Sequence, residues 1–423
     1  WLFGRSRLPG DVLVRSRADV RSSAASKAAA SYRVPFQRDS ARLPAAFGTA
    51  EVLAGMPVTR GNKVELLTDG DATFDSIFDG IAAAKAYILV QFYIVRDDTL
   101  GQRLQQHLLA KAKQGVRVYF LYDEIGSIGL SARYKTRLRT GGVALCAFRM
   151  RNGPSKRIQL NFRNHRKVVV VDGHITWIGG NNVGDEYLGK DPDIGAWHDA
   201  HVRIEGPAAM QAQVSFAEDW HWAAGQTLAL DWRTRFAPDE SDADVLVVPS
   251  GPTDELETAG LLFVHAIHAA QRRLWIASPY FIPDPAVIAA LQLAALRGVD
   301  VRILVPERPD SLSVHLAAYA YFATVVRTGV QIYRHREGLL HKKVALIDEQ
   351  IAIVGTANFD NRSFRLNFEI TALIADPTVF ARLEVTLAED FQRAFPLDRN
   401  ELDQKPWHFR FCVQCARLVA PLL

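Results

Sequence analysis

The feature that most constrains this chain is a string of residues that occurs twice. His165-Arg166-Lys167-Val168-Val169-Val170-Val171-Asp172, followed by Gly179 and Asn182, is matched by His341-Lys342-Lys343-Val344-Ala345-Leu346-Ile347-Asp348, followed by Gly355 and Asn358. Both read H-x-K-x4-D-x6-G-x2-N. Fixed positions of a few per cent background usage make one chance match in a chain of this length an event of about one in ten thousand. Two matches in corresponding places exclude coincidence, so the fold must present the same short element twice.

The order of elements around the two strings repeats as well. Residues 64–67 read as a strand, 76–86 as a helix, 87–95 as a buried strand, and 100–114 as a helix ended by Gly115 before a strand over 116–122. A helix over 259–271, a strand over 274–281, a helix over 286–297 ended by Gly298, and a strand over 299–305 follow in the same order. Locally, Gln114-Gly115-Val116-Arg117-Val118 matches Arg297-Gly298-Val299-Asp300-Val301. Alternating strands and helices define an α/β chain: two pseudo-twofold related α/β domains, each a mixed, mainly parallel sheet flanked by helices. Its 423 residues exceed what one core usually serves. The expected domains are 61–240 and 241–396, divided at the polar stretch Pro238-Asp239-Glu240-Ser241-Asp242. Residues 1–60, rich in Ala, Ser and Arg, read as a basic juxtamembrane segment of linker or short helices rather than core. Residues 397–423 read as an amphipathic C-terminal tail, suited equally to an interface and to the protein's own surface.

Within each motif, residues i and i+2 of a strand share a face, so His165 projects with Lys167 and His341 with Lys343. Four apolar residues bury the rest of the strand, and Asp172 and Asp348 open turns into return strands over 175–178 and 351–354. The aspartates are therefore assigned mainly to hairpin geometry. Lys167, Lys343, Asn182 and Asn358 are suited to the equatorial oxygens of a phosphodiester without a metal. Two histidines across a pseudo-twofold axis supply a nucleophile on one side of phosphorus and a proton donor on the other. Lysines nearby disfavour imidazolium, so each histidine calls for a carboxylate. Asp199, downstream of the first motif, and Glu369, downstream of the second, are the matching candidates.

Charge and cysteines bound the partners. The net charge is +4, yet Arg5, Arg7, Arg15, Arg17, Arg21, Lys27, Arg33, Arg38 and Arg42 crowd the start against Asp11, Asp19 and Asp39. Such an arm is either a solvated tail or an attraction for anionic headgroups or nucleic acid. Arg149, Arg151, Lys156, Arg157 and Arg163 interleave with Phe148, Ile158, Leu160 and Phe162 before the first motif, as a headgroup-drawing loop or a solvated basic hairpin. Cys146, Cys412 and Cys415 are too few for a disulfide framework and favour a reducing compartment. No run of 18 apolar residues occurs. Trp1-Leu2-Phe3-Gly4 ahead of the arginines looks like the end of a hydrophobic segment.

The duplicated motif resembles the HKD signature of the phospholipase D superfamily, and the surrounding sequence is similar to its bacterial cardiolipin synthases. Asn164-His165-Arg166-Lys167, Gly184-Asp185-Glu186-Tyr187-Leu188-Gly189, Ser278-Pro279-Tyr280-Phe281-Ile282-Pro283 and Asn358-Phe359-Asp360-Asn361-Arg362-Ser363 through Asn367-Phe368-Glu369 carry the likeness. The resemblance implies two phospholipase D-like domains with His165, Lys167, Asp172, His341, Lys343 and Asp348 as the catalytic set. It implies condensation of two phosphatidylglycerol molecules into cardiolipin and glycerol through a phosphohistidine, with no cofactor and no metal. By that analogy His165 is the nucleophile and His341 the acid/base. Anionic membrane lipids become the partners, nucleic acid does not, and the place becomes a bacterial cytoplasmic membrane with the catalytic body on its cytoplasmic side. The alternative is a phospholipase D that gives the intermediate to water and releases phosphatidic acid. One departure is Gly180 where a Gly-Ser pair is commoner, against Thr356 in the second motif, which puts one hydroxyl contact to phosphate in doubt.

Overall fold

A computed structural model describes residues 44–149, 162–237, 241–308 and 311–420. The basic arm before residue 44, the middle of the basic loop at 150–161 and the connector residues 238–240 lie outside the described residues.

The strands of the first half are β1 (Thr59–Leu67), β2 (Tyr87–Phe92), β3 (Arg117–Asp123), β4 (Ala144–Phe148), β5 (Arg163–Asn164), β6 (Val168–Val171), β7 (Ile175–Gly179), β8 (Trp197–His198) and β9 (His201–Glu205). Those of the second are β10 (Ala243–Ser250), β11 (Arg273–Ala277), β12 (Phe281–Ile282), β13 (Asp300–Pro306), β14 (Gln331–His335), β15 (Leu339–Leu340), β16 (Val344–Ile347), β17 (Ile351–Gly355), β18 (Phe359–Asp360), β19 (Asn367–Ala375) and β20 (Ala394–Pro396). They form one sheet in the order β20-β14-β13-β11-β16-β17-β19-β10-β1-β9-β7-β6-β2-β3-β4, to which β5 is joined through β19. Apart from β20, that order reads alike from either end. The pseudo-twofold runs between β10 and β1, which pair antiparallel at Thr59↔Val245 and Asn62↔Ala243.

The mixed α/β sheet flanked by helices is as expected, and the parallel part has a definite place. Its parallel pairs are β2-β3-β4 and β11-β13-β14, whose crossovers are the repeated helices, and the two-residue pair β5-β19; the other pairs of the sheet are antiparallel. The hairpins β6-β7 and β16-β17 make the middle antiparallel. Alternation along β2 explains three layers. Leu89 faces a core shared by both halves under the helices Ala209–Ala224 and Pro377–Gln392, whereas Ile88 and Val90 face the helices Gly70–Ala83, Thr99–Lys113 and Ala132–Thr140. The crossover helices start at acidic caps: Asp98 accepts from Gly101 N and Asp284 from Val287 N, each worth about 1 kcal/mol.

One expectation changes at the ends. Part of the segment assigned to linker is core, because the helix Ala45–Ala54 packs on β10 and on the helix Thr258–Ala269, burying Phe47 and Ala50 completely. The apolar patch at 47–56 was the signal, masked by its basic surroundings. The helix Trp407–Val419 packs one face on the helix Leu312–Val325 through Val413 and Ala416 and leaves the other exposed. Among the described residues no helix is long and apolar enough to cross a membrane.

Candidate active site

The motif hairpins β6-β7 and β16-β17 flank the four central strands β9, β1, β10 and β19, and their histidines are placed by two short strands that cross between the halves. β5, just before His165, pairs parallel with the start of β19, so that His165 N donates to Phe368 O at 2.9 Å. β15, just before His341, pairs parallel with β8, and His341 N donates to His198 O at 2.7 Å. The next residue on each partner is a carboxylate. His165 Nδ1 lies 2.9 Å from Glu369 Oε2, and His341 Nδ1 lies 2.6 Å from Asp199 Oδ2. Each histidine is thus held by the carboxylate of the opposite half. Sequence order gave the candidates but not the crossing, because pairing between β5 and β19 or β8 and β15 involves only two residues per strand.

A carboxylate that accepts from Nδ1–H keeps the proton on that nitrogen and leaves Nε2 with its lone pair. Lys167 Nζ donates to His165 O at 2.8 Å, and Lys343 Nζ donates to His341 O and lies 3.8 Å from Asp199 Oδ2. All six residues are at most 9 % exposed, so their charges act through little water. Burial, with opposition from Glu369, pushes Lys167 down to about 7, and Lys343 pushes in the same direction. Burial and then Lys343 push His341 down to about 3, and burial lowers His165 despite Glu369. Burial by itself would raise Asp199, but Lys343 and His341 overcome it and hold the carboxyl at about 2. Glu369 is lowered likewise: burial opposes, while His165, Lys167 and the Thr356 hydroxyl prevail. In these surroundings the carboxylates are ionised and both imidazoles neutral at neutral pH.

The two motif asparagines flank this centre. Asn182 accepts from Ile94 N at 3.1 Å, and Asn358 keeps a buried side-chain oxygen with no partner among the described residues. Asp172 and Asp348 are not brought to the histidines. They sit at the far ends of β6 and β16 in left-handed conformation (φ 52° and 51°). There Asp172 accepts from Lys85, Ala86 and Tyr87 N, and Asp348 from Gln271, Arg272 and Arg273 N. Each staples its hairpin to the entry of the neighbouring parallel strand, which is the geometric role expected of it.

Several supporting residues escaped the sequence reading. The middle residues of the motifs make matching buried ion pairs, Arg166 with Asp219 at 2.7 Å and Lys342 with Asp390. Ala217-Glu218-Asp219-Trp220 and Ala388-Glu389-Asp390-Phe391 repeat the same pattern and would have revealed them. Gly180 and Thr356 receive a different meaning. Thr356 Oγ1 donates to Glu369 Oε2 at 2.6 Å, so its hydroxyl is committed to the carboxylate rather than to phosphate. At Gly180 a Cβ would lie 2.0 Å from Asp199 Oδ1. The shorter acid approaches bare backbone, and the longer one takes a hydroxyl. Tyr93 stands edge-on to His165, ring centroids 5.0 Å apart, and Trp197 covers His341 at 4.7 Å.

A buried site with two imidazoles, two lysines and paired carboxylates on a duplicated α/β fold suits the transfer of phosphodiester groups. Comparison with known proteins narrows it. The family model described as "Cardiolipin synthase, PLD-like domain" matches residues 77–220 and 263–391, and the chain belongs to that family. Cardiolipin synthase A of Pseudomonas putida (strain GB-1) is 50 % identical over 374 residues, covering 88 % of this chain and 77 % of that protein. Cardiolipin synthase A of Pseudomonas aeruginosa (strain LESB58) is 46 % identical over an alignment covering 100 % of this chain and 86 % of its own length. Among solved structures, phosphatidylserine synthase of Haemophilus influenzae Rd KW20 superposes with a TM-score of 0.64 at 16 % identity, covering 89 % of this chain and all of that one, a likeness of fold.

Proposed function

We infer that this chain is a cardiolipin synthase, a phosphatidyltransferase that joins two phosphatidylglycerol molecules into cardiolipin and releases glycerol. The crossed pairs His165–Glu369 and His341–Asp199, each beside a lysine, are the observation that carries the mechanism, and the relatives' names support the substrate. The phosphodiester anion enters between Lys167 and Lys343, with Asn182 and Asn358 to its oxygens. Its charge offsets the lysines, so one imidazole gains a proton that it otherwise lacks. His165 Nε2 attacks phosphorus, the P–O bond to the glycerol headgroup breaks, and the proton on His341 Nε2 goes to the departing oxygen. His341 then removes a proton from the glycerol hydroxyl of a second phosphatidylglycerol. That oxygen attacks phosphorus, the N–P bond breaks, and cardiolipin leaves. Glu369 and Asp199 stabilise the imidazolium and phosphoimidazole stages. The donors are anionic membrane lipids, which places the working enzyme at the bacterial cytoplasmic membrane, with its catalytic body on the cytoplasmic side.

The test is to incubate the chain with phosphatidylglycerol vesicles in the presence of chelator and resolve lipid products by mass. Cardiolipin with equimolar glycerol is expected. Phosphatidic acid alone would make water the acceptor and overturn the synthase reading.

A further inference from the structure

The helix Trp407–Val419 and the residue after it have two opposite faces. Phe409, Val413, Ala416 and Ala420 recur at i, i+4, i+7 and i+11 and form the packed face. Trp407, Arg410, Phe411, Gln414, Arg417 and Leu418 recur at i, i+3, i+4, i+7, i+10 and i+11 on the other side. Trp407, Phe411 and Leu418 are 78, 62 and 82 % exposed, an unusual concentration of large apolar groups for one surface helix. No acidic residue occurs in the helix. Between this face and the neighbouring helices lies a groove of about 780 Å³, lined by Arg327, Arg410 and Arg417 against one carboxylate, Asp403.

A short path of contacts also links the helix to the second motif. Ala416 and Ala420 pack with Ile282 of β12, and β12 pairs with β18, which begins directly after Asn358. Tyr321 packs against this helix and feels both the charge of Arg417 and the polar side chain of Asn361 in the same stretch.

We propose that this face docks the chain on a bilayer: headgroup phosphates of anionic phospholipids enter the arginine-lined groove, and Trp407, Phe411 and Leu418 enter the headgroup–acyl boundary. Guanidinium groups hold phosphate oxygens through two parallel hydrogen bonds, and indole rings favour the membrane interface. Cations spaced among bulky apolar side chains fit an interface that is charged above and oily below. A nucleic acid would use the arginines and leave Phe411 and Leu418 in water. The choice of lipid rests on the cardiolipin synthase reading, whereas the surface itself rests on the helix and the groove.

The test is sedimentation with vesicles of phosphatidylcholine alone or with 30 mol % phosphatidylglycerol (about one lipid in three), using the whole chain, the pair Arg410→Glu/Arg417→Glu and the pair Trp407→Ser/Phe411→Ser. Each arginine near an anionic surface is worth about fivefold in partitioning, so the charge pair should lose about 25-fold or more on the anionic vesicles. The aromatic pair should lose binding as well. All four residues are on the surface, so melting temperatures should stay at the parent value; Arg410→Gln/Arg417→Gln is a milder second version with the same expected direction. Turnover of a monomeric short-chain phosphatidylglycerol reads the reaction separately: its absence from the parent chain would defeat the synthase reading and not the surface. Unchanged vesicle binding in the charge pair, equal binding to neutral vesicles, or loss confined to binding of an oligonucleotide would each overturn the proposal.

Discussion

Replacing Lys167 by Met should make the protein more stable and much less active. The ammonium is fully buried, and its surroundings hold it at about 7 instead of 10.5. At about 1.4 kcal/mol per pH unit, keeping that group folded near neutral pH costs about 4 kcal/mol. Methionine has a similar length and no charge to desolvate, but it loses the hydrogen bond to His165 O, worth about 1 kcal/mol. The net expectation is a gain of about 3 kcal/mol at pH 7, or about 3–6 °C in melting temperature for a chain of this size. The sign can be checked by pH. Between pH 7 and 10 the unfolded chain holds the lysine proton and the folded one does not, so the parent gains stability as pH rises and the gap to the variant closes. Activity should fall at least about 100-fold, because a cationic partner of the phosphate is gone. The assay is thermal melting of both chains from pH 6 to 10 beside turnover of a soluble substrate. A variant less stable than its parent at pH 7 would refute the reasoning, since it would mean that attraction to Glu369 and Asp199 outweighs burial.

Three further outcomes follow from the same geometry. Asp199→Asn and Glu369→Gln should each lower kcat about 100-fold or more with melting temperature little changed; activity within a factor of three of the parent would contradict the crossed pairs. Gly180→Ala should imitate Asp199→Asn in a kinetic assay, because its Cβ would displace the carboxylate, and parent-like activity would show that the close approach is unimportant. Asp172→Asn should cost about 1–3 kcal/mol in denaturant unfolding while the folded fraction keeps its KM, since it weakens bonds to three backbone amides far from the histidines.

Much of this architecture was legible because the chain states it twice. The periods of 2 and 3.6 around Tyr87–Phe92 and Arg273–Ala277, with glycines closing the crossover helices, are local signals that survive into the sheet. The histidines, lysines and motif asparagines came from spacing alone, and Asp199 and Glu369 from matched position. What the sequence concealed is non-local. The exchange of carboxylates depends on two-residue pairings between the halves, and the role of Thr356 depends on how far a glutamate reaches compared with an aspartate. Phe47 was hidden for a compositional reason, because one apolar turn among Ala, Ser and Arg looks like linker until β10 is beside it.

The central claim is a covalent phosphohistidine, and the direct measurement is acid-free quenching of the chain during turnover of phosphatidylglycerol, followed by peptide mass analysis. The account predicts a phosphatidyl adduct on the peptide containing His165, absent from His165→Ala and longer-lived in His341→Ala, where no acid/base serves the second step. Full turnover in either histidine variant, or an adduct confined to the His341 peptide, would contradict it.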